Sequence, residues 1–344
     1  MSLTLQEAIA RIRPLDAKAQ IEARNRWDSR AKLPNSLGKL EWAVVRLAGI
    51  SRTAFPVLDR KQVVVFCADN GVTAEAVSPS DPRITAAQAL NFAEGGGTIN
   101  AFARRLGADV LVVDIGLATP CSHAGILSRA VRAGTGNIAC GPAMSMEECR
   151  TAVETGIALA EEAAARGVSL LITGEMGIGN TTTSSAVASV LLGRPPEEIT
   201  ARGAGSPDAV PHKTAVIRRA VSINRPDPAQ PLDVIAKVGG LDIAGMCGLY
   251  LGAAACGLPV FIDGFISSAA ALCAARISPL CQGYMLPSHC SAEAGGRLLL
   301  EALGFSAPIE AGLCLGEGTG GVLGAALLDY ALSAYQEVVD IRAL

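Results

Sequence analysis

Carboxylates and glycines recur together at the ends of apolar runs in this chain. Glu317 lies in Leu315-Gly316-Glu317-Gly318-Thr319-Gly320-Gly321, where glycines on both sides let backbone and ligand approach closely. A carboxylate at a strand end, partly shielded from water, can have a raised pKa and act as a general base. The same acid just before a helix can instead complement the helix dipole. The residues alone leave both readings open. Glu175, in Gly174-Glu175-Met176-Gly177, can orient a substrate or cap its loop. Asp242 and Asp263 bracket an apolar stretch and are candidates to hold ribose hydroxyls. Lys213 follows His212 in a polar stretch and can neutralise a phosphate or a carboxylate, although a lone lysine is usually solvated. Ser291, in Ser288-His289-Cys290-Ser291-Ala292-Glu293, reads as lying at a helix start, where it either binds phosphate or simply caps.

The run from Leu170 to Thr183 passes from an apolar strand through a glycine-rich turn into a hydroxyl-rich helix start. Such a turn offers backbone N–H groups and a positive helix end to an anion. Its skeleton, Gly174-x-x-x-x-Gly179-Asn180-Thr181, nearly spells a P-loop, with Asn180 where that motif needs lysine. The loop can hold a phosphate but lacks the cation that bridges a triphosphate. A nucleoside monophosphate is the expected occupant, with Gly174, Glu175, Asn180 and Thr181 around it. Other nucleotide and hydrolase patterns are weaker or missing. Gly134-Thr135-Gly136-Asn137-Ile138-Ala139 matches the loose dinucleotide pattern, but Pro142 follows closely and no strand clearly leads into it. The chain has no Asp-Asp doublet of the kind that holds phosphoribosyl pyrophosphate with magnesium. No Ser–His–Asp set or G-x-S-x-G elbow stands out. The three histidines, His123, His212 and His289, form no zinc-type pair. No metal and no cofactor are expected.

The elements that must position these groups are legible as a series of strand endings. Apolar runs lead to Asp69-Asn70-Gly71, Asp114-Ile115-Gly116, Gly174-Glu175, Asp263-Gly264 and, after Leu313-Cys314-Leu315-Gly316, Glu317-Gly318. Continuous apolar runs mark strands buried on both faces of a parallel sheet. Ligands of open α/β sheets bind outside the strand C-termini. Strands and helices alternate from about residue 60 to 320, so the fold class is α/β, a parallel sheet flanked by helices. Residues 1–55 read as helical, with Trp27 and Trp42 as anchors. Residues 321–344 are helical again and are expected to pack beside 1–55 as a small subdomain, leaving 56–320 as the nucleotide-binding part.

Composition narrows the function classes. Half of the 344 residues are apolar but only 4% are aromatic, so alanine, glycine and valine must fill tightly packed helices. A net charge of −3 without long runs points away from nucleic acid and anionic membranes. Ten cysteines form no C-x-x-C pair, and several sit in apolar runs. They read as reduced thiols of a cytoplasmic protein. Thr4-Leu5-Gln6-Glu7 reads as a capping box and not as a signal peptide. The uncharged stretch Ile243–Ile262 has the length of a membrane span. Gly257-Leu258-Pro259 breaks it, so a buried helix, Ala244–Cys256, and a strand, Val260–Ile262, are expected instead.

Six motifs in order resemble the nicotinate-nucleotide:dimethylbenzimidazole phosphoribosyltransferase family, which activates the lower ligand of cobamides. They are Asn35–Glu41, Ala68–Val72, Thr173–Thr182, Lys237–Asp242, Leu258–Phe265 and Leu315–Gly320. The resemblance spans nearly the whole chain. It implies a Rossmann-like sheet with a small helical domain, assembled as a dimer. It implies transfer of phosphoribose from nicotinate mononucleotide to an aromatic base, with inversion and without a metal. Glu317 matches the family's general base; Glu175, Gly177, Gly203, Lys213 and Ser291 match positions around the nucleotide. Glu75–Gln88 corresponds to the lower-ligand pocket, to which Met176 and Leu315 are also assigned. The chain departs from the family there. Asn70 stands where histidine is usual, Ser80 where tyrosine is, and Ala87 where glutamine is, with Gln88 one residue later. One residue rotates a helical side chain by about 100°. Some relatives use phenol or p-cresol, sometimes as two paralogous chains. The expected acceptor is therefore dimethylbenzimidazole or a phenol, and the expected assembly a homodimer or a heterodimer with a paralogue. An alternative reading makes this chain the structural, weakly active member of such a pair.

Overall fold

The computed structural model describes every residue except Met1 and Pro120. Its sheet has six parallel strands, β1 (Lys61–Ala68), β2 (Ala108–Gly116), β3 (Ile126–Ser128), β4 (Leu170–Met176), β5 (Val260–Ile262) and β6 (Met285–Pro287). Their order is β3-β2-β1-β4-β5-β6. The chain winds outward from β1 to β3, then returns to the other side of β1 and continues from β4 to β6. The order reverses between β1 and β4, and that is where an open α/β sheet leaves a crevice beyond its strand ends.

Helices α1 (Leu5–Arg11), α2 (Ala17–Asp28) and α3 (Lys39–Ser51) precede the sheet. Between β1 and β2 lie α4 (Ile84–Ala93) and α5 (Thr98–Leu106), and α6 (Met146–Ala165) leads into β4. The long connection after β4 carries α7 (Asn180–Leu192), α8 (Pro196–Ile199), α9 (Val210–Asn224), α10 (Pro231–Val238) and α11 (Leu241–Cys256). Helix α12 (Phe265–Ile277) joins β5 to β6, and α13 (Gly296–Ala302) and α14 (Thr319–Glu337) follow.

β1 shows why the sheet is two-sided. All eight of its residues are buried, and successive side chains point to opposite faces. Val64, Phe66 and Ala68 join one core with α6, α11 and α12. Val63, Val65 and Cys67 join the other with α2, α3, α5 and α14. In the second core Trp27 is buried and packs edge-on against Tyr335, with ring centroids 4.9 Å apart. The seam between α6 and α11 shows glycine used where larger side chains would not fit. A Cβ at Gly248 would collide with the carbonyl of Val153, and one at Gly156 with that of Gly245. The two backbones touch, and no larger side chain fits between them.

The capping box at Thr4 and Glu7 is present, and all ten cysteines are free. The uncharged stretch divides into helix, turn and strand as expected. Among the described residues no helix is long and apolar enough to cross a membrane. Four readings need correction. Leu313–Gly316 is not a strand: the N–H of Ala292 bonds to Leu313 O at 2.9 Å, so this segment pairs with the loop after β6 instead of the sheet. Its place in the series is taken by β6, which has no acid–glycine ending. Ser291 does not open a helix: Cys290 and Ala292 bond to Ile309 and Leu313, residues 292–295 bend and turn, and α13 begins only at Gly296. Helix α11 starts at Leu241, with Gly240 as its extended N-cap, which puts Asp242 in the first turn. Trp42 is 41% exposed and is no anchor; it lies edge-on to Phe305 near the surface.

Candidate active site

A cleft of about 310 Å³ opens beyond the ends of β1, β4 and β5. Its floor is a set of buried carboxylates. Glu175, near the end of β4, accepts a hydrogen bond from the Asn180 amide, and the same amide nitrogen donates to Asp242 Oδ2 at 3.0 Å. Asn180 thus sits where a P-loop has lysine and holds two acids together. Both carboxyls are pushed above the usual range, first by burial; the nearby Asp242 charge raises Glu175 further. Asp263, at the end of β5, accepts N–H bonds from Gly318 at 3.1 Å and Gly321 at 2.9 Å. Burial still raises it to about 7.

Glu317 lies in the loop before α14, between Gly316 and Gly318, and all three have positive φ. A non-glycine residue at φ +62° is strained. Two contacts hold it: its own N–H bonds to Glu175 Oε1 at 3.4 Å, and its Oε2 accepts the Ile99 N–H at 3.2 Å. Ile99 is in the first turn of α5, so Glu317 does meet a helix dipole, but not that of the helix it precedes. Burial raises its pKa and the Ile99 bond lowers it, with a net rise.

The other end of the cleft has the chemistry to receive an anion. Gly177, Gly179, Asn180 and Thr181 line it at the positive end of α7. Gly179 takes φ +92° to let the strand turn into the helix. Lys213, on α9, is buried behind this wall. Its Nζ donates to Thr181 Oγ1 at 2.9 Å and to the carbonyls of Ala201 at 2.7 Å and Arg202 at 3.3 Å. Burial lowers it to about 8, against an opposing effect of Glu293. Gly203 lies against Thr181, where a Cβ would stand 2.7 Å from Oγ1. Ser291 is buried, lines the cleft and accepts the Glu293 N–H at 3.3 Å.

The cleft therefore brings together Glu317, Glu175, Gly177, Asn180, Thr181, Gly203, Asp263, Ser291, Met176 and Leu315. Gly174, Lys213 and Asp242 stand behind the lining and support it. Ser80, Ala87 and Gln88 are not among the lining residues. Ala87 is exposed, and the Gln88 side-chain oxygen accepts from Asn91 at 3.0 Å. Glu293, His289 and Phe265 are among the lining residues that the sequence reading did not assign. Glu293 accepts the N–H groups of Arg202 and Gly203 at 2.7 and 2.8 Å. His289 is buried with its pKa lowered to about 4, and its ring packs against Gly320. Phe265 opens α12 at the cleft wall. No spacing signal marks any of them; their roles depend on loops more than 20 residues apart in the chain meeting in space.

Fold and site together define a Rossmann-like enzyme that handles a phosphorylated nucleotide at the switch point of a parallel sheet. The comparisons narrow this further. A family model described as Phosphoribosyltransferase matches residues 12–343. A nicotinate-nucleotide–dimethylbenzimidazole phosphoribosyltransferase of Acetivibrio thermocellus is 48% identical over 91% of this chain and 90% of its own length. The enzyme of that name from Desulforudis audaxviator is 47% identical over 98% and 96%. The crystal structure of the enzyme from Thermus thermophilus superposes with a TM-score of 0.90 at 40% identity, covering 95% of this chain and 98% of that one. The chain belongs to the nicotinate-nucleotide–dimethylbenzimidazole phosphoribosyltransferase family and is a pentosyl-transferring enzyme.

Proposed function

We propose that the chain transfers phosphoribose from nicotinate mononucleotide to an aromatic lower-ligand base, with Glu317 as general base. The observation that carries this reading is the placement of Glu317, which is strained, partly shielded and lines a cleft whose far end suits a phosphate. The 5′-phosphate lies at Gly177, Thr181, Gly203 and Ser291, backed by Lys213. The base lies between Met176 and Leu315, near Glu317. The nucleophile of the base forms a bond to the anomeric carbon as the bond to the pyridinium nitrogen breaks. The bonding pair neutralises the pyridinium and nicotinate leaves. The proton of the incoming base passes to Glu317. Glu175, when ionised, pairs with the pyridinium charge of the bound donor, a charge that is gone once nicotinate leaves.

Dimethylbenzimidazole is the acceptor that the relatives' names support. A phenol is a second acceptor, favoured by one observation: Ala87 and Ser80 supply no polar group to the cleft wall, and the Gln88 oxygen is taken by Asn91. An intact Glu317 and nucleotide loop support an active subunit over a purely structural one. The test is turnover of the isolated chain with nicotinate mononucleotide and each base, followed by nicotinate release. Silence with both bases would leave only the structural-subunit reading.

A further inference from the structure

Two loops without regular structure join the start of α7 at the proposed phosphate end of the cleft. One is residues 201–206 and the other residues 288–295. Glu293 fastens them together. Its Oε2 accepts the Arg202 N–H at 2.7 Å and its Oε1 accepts the Gly203 N–H at 2.8 Å. Two successive N–H groups around a residue at φ +60°, as at Gly203, form a concavity that binds anions. On the opposite side, Lys213 Nζ takes the carbonyls of Ala201 and Arg202. The peptide groups of 201–203 therefore lie between a cation and an anion, with their dipoles aligned to both. This arrangement presses Gly203 against the Thr181 hydroxyl and fixes Ser291, whose Oγ accepts the Glu293 N–H.

We propose that Glu293 is a positioning residue for the donor's phosphate. Its carboxylate sets the 201–206 loop so that Gly203, Thr181 and Ser291 keep the spacing a phosphate requires. It does so through the loop and takes no part in the chemistry, since both oxygens are engaged by backbone donors. The inference rests on the nicotinate mononucleotide reading and specifies how that site is held.

The experiment is steady-state kinetics of the full chain carrying Glu293→Ala or Glu293→Gln, beside wild type, with thermal melting as a check on folding. Glu293→Ala raises the KM for the donor about 10- to 100-fold, as expected for two lost charge-assisted hydrogen bonds. The kcat stays within about 3-fold and the KM for the base is unchanged, because the chemistry and the acceptor wall are untouched. Glu293→Gln, which keeps one acceptor at the same reach, falls between. Added acetate lowers the donor KM of the alanine variant toward wild type. Inactive wild-type protein would overturn the functional reading itself. An active wild type with an unchanged donor KM in a folded Glu293→Ala would overturn the role of Glu293. So would a fall in that KM, which would mean that the carboxylate competes with the phosphate.

Discussion

The two ends of the cleft are made of different material. The proposed phosphate end is held by main-chain groups and fixed side chains: the start of α7, the 201–203 backbone, the buried Lys213 on one side of it and the half-buried Glu293 on the other. Each group there has a partner that is itself fixed. The proposed acceptor end is lined by Met176 and Leu315, side chains that are not fully buried, and the α4 residues matched to it by resemblance stand off the lining. Leu315 is 58% exposed, Ala87 is exposed, and Ser80 is not among the lining residues. A site fixed by backbone tolerates few changes, whereas a wall of loosely packed side chains can change its ligand without disturbing the fold. The donor should therefore be constant and the acceptor adjustable, with Glu317 at the junction belonging to both.

Substitution at the junction gives the largest effect. Glu317→Gln lowers turnover about 10²–10⁴-fold with either acceptor, the usual range for a lost general base. The acid limb of the kcat/KM profile, which lies above the ordinary glutamate range in wild type, disappears. Near-normal turnover of this variant would remove Glu317 from the mechanism and leave the two ends unconnected.

A smaller effect probes the rigid end through stability. Glu175, Asp242 and Asp263 all have raised pKa values in the folded chain. A folded state that binds protons more tightly than the unfolded one is stabilised at low pH. That contribution is complete below the ordinary carboxylate range and is lost as pH rises through about 7 for Asp263 and about 8 for Glu175. Without ligand, the melting temperature should fall from about pH 5 to about pH 8, setting aside acid unfolding below that range. Glu175→Gln, which stays neutral throughout, should flatten the decline. An equally steep decline in that variant would mean that Glu175 is already ionised in its buried place.

The smallest effect is at the acceptor wall. Ala87→Gln should shift kcat/KM toward dimethylbenzimidazole and away from p-cresol by about 3- to 10-fold, the worth of one neutral hydrogen bond. The far ring nitrogen can pair with an amide and a phenol has no such group. Donor KM should not move. An unchanged acceptor ratio would mean that this face of α4 never meets the base.

Much of this contrast could be read from the sequence at one end only. The strand-to-helix run around Gly174–Thr181 is local, so its geometry follows from glycine spacing and helix-start chemistry. The acid–glycine endings of β1, β2, β4 and β5 were legible for the same reason. Short leucine-containing runs were not: Leu313–Gly316 and Met285–Pro287 look alike in hydropathy, and only the pairing of residues 290–292 with 309–313 decides which of them enters the sheet. The pairing of Glu293 with Arg202 spans 91 residues and leaves no periodic trace. The N–H that holds Glu317 belongs to Ile99, 218 residues earlier, which is equally invisible in a single chain.

The bonds of Asp263 bear on the order in which the protein is made. Its carboxylate leaves the ribosome with β5, but its two N–H partners lie 55 and 58 residues downstream. At about 5–20 residues per second, the nascent chain waits several seconds between the two. During that interval β1, β2 and β4 can already pair and the start of α7 can form, whereas the loop that bears Glu317 does not yet exist. The start of α7 and the 201–203 loop are thus made first, Ser291 and Glu293 join them during the interval, and the loop of Glu317 comes last. A chain that ends between Glu293 and Glu317 would hold every residue of the phosphate end and none of the catalytic loop.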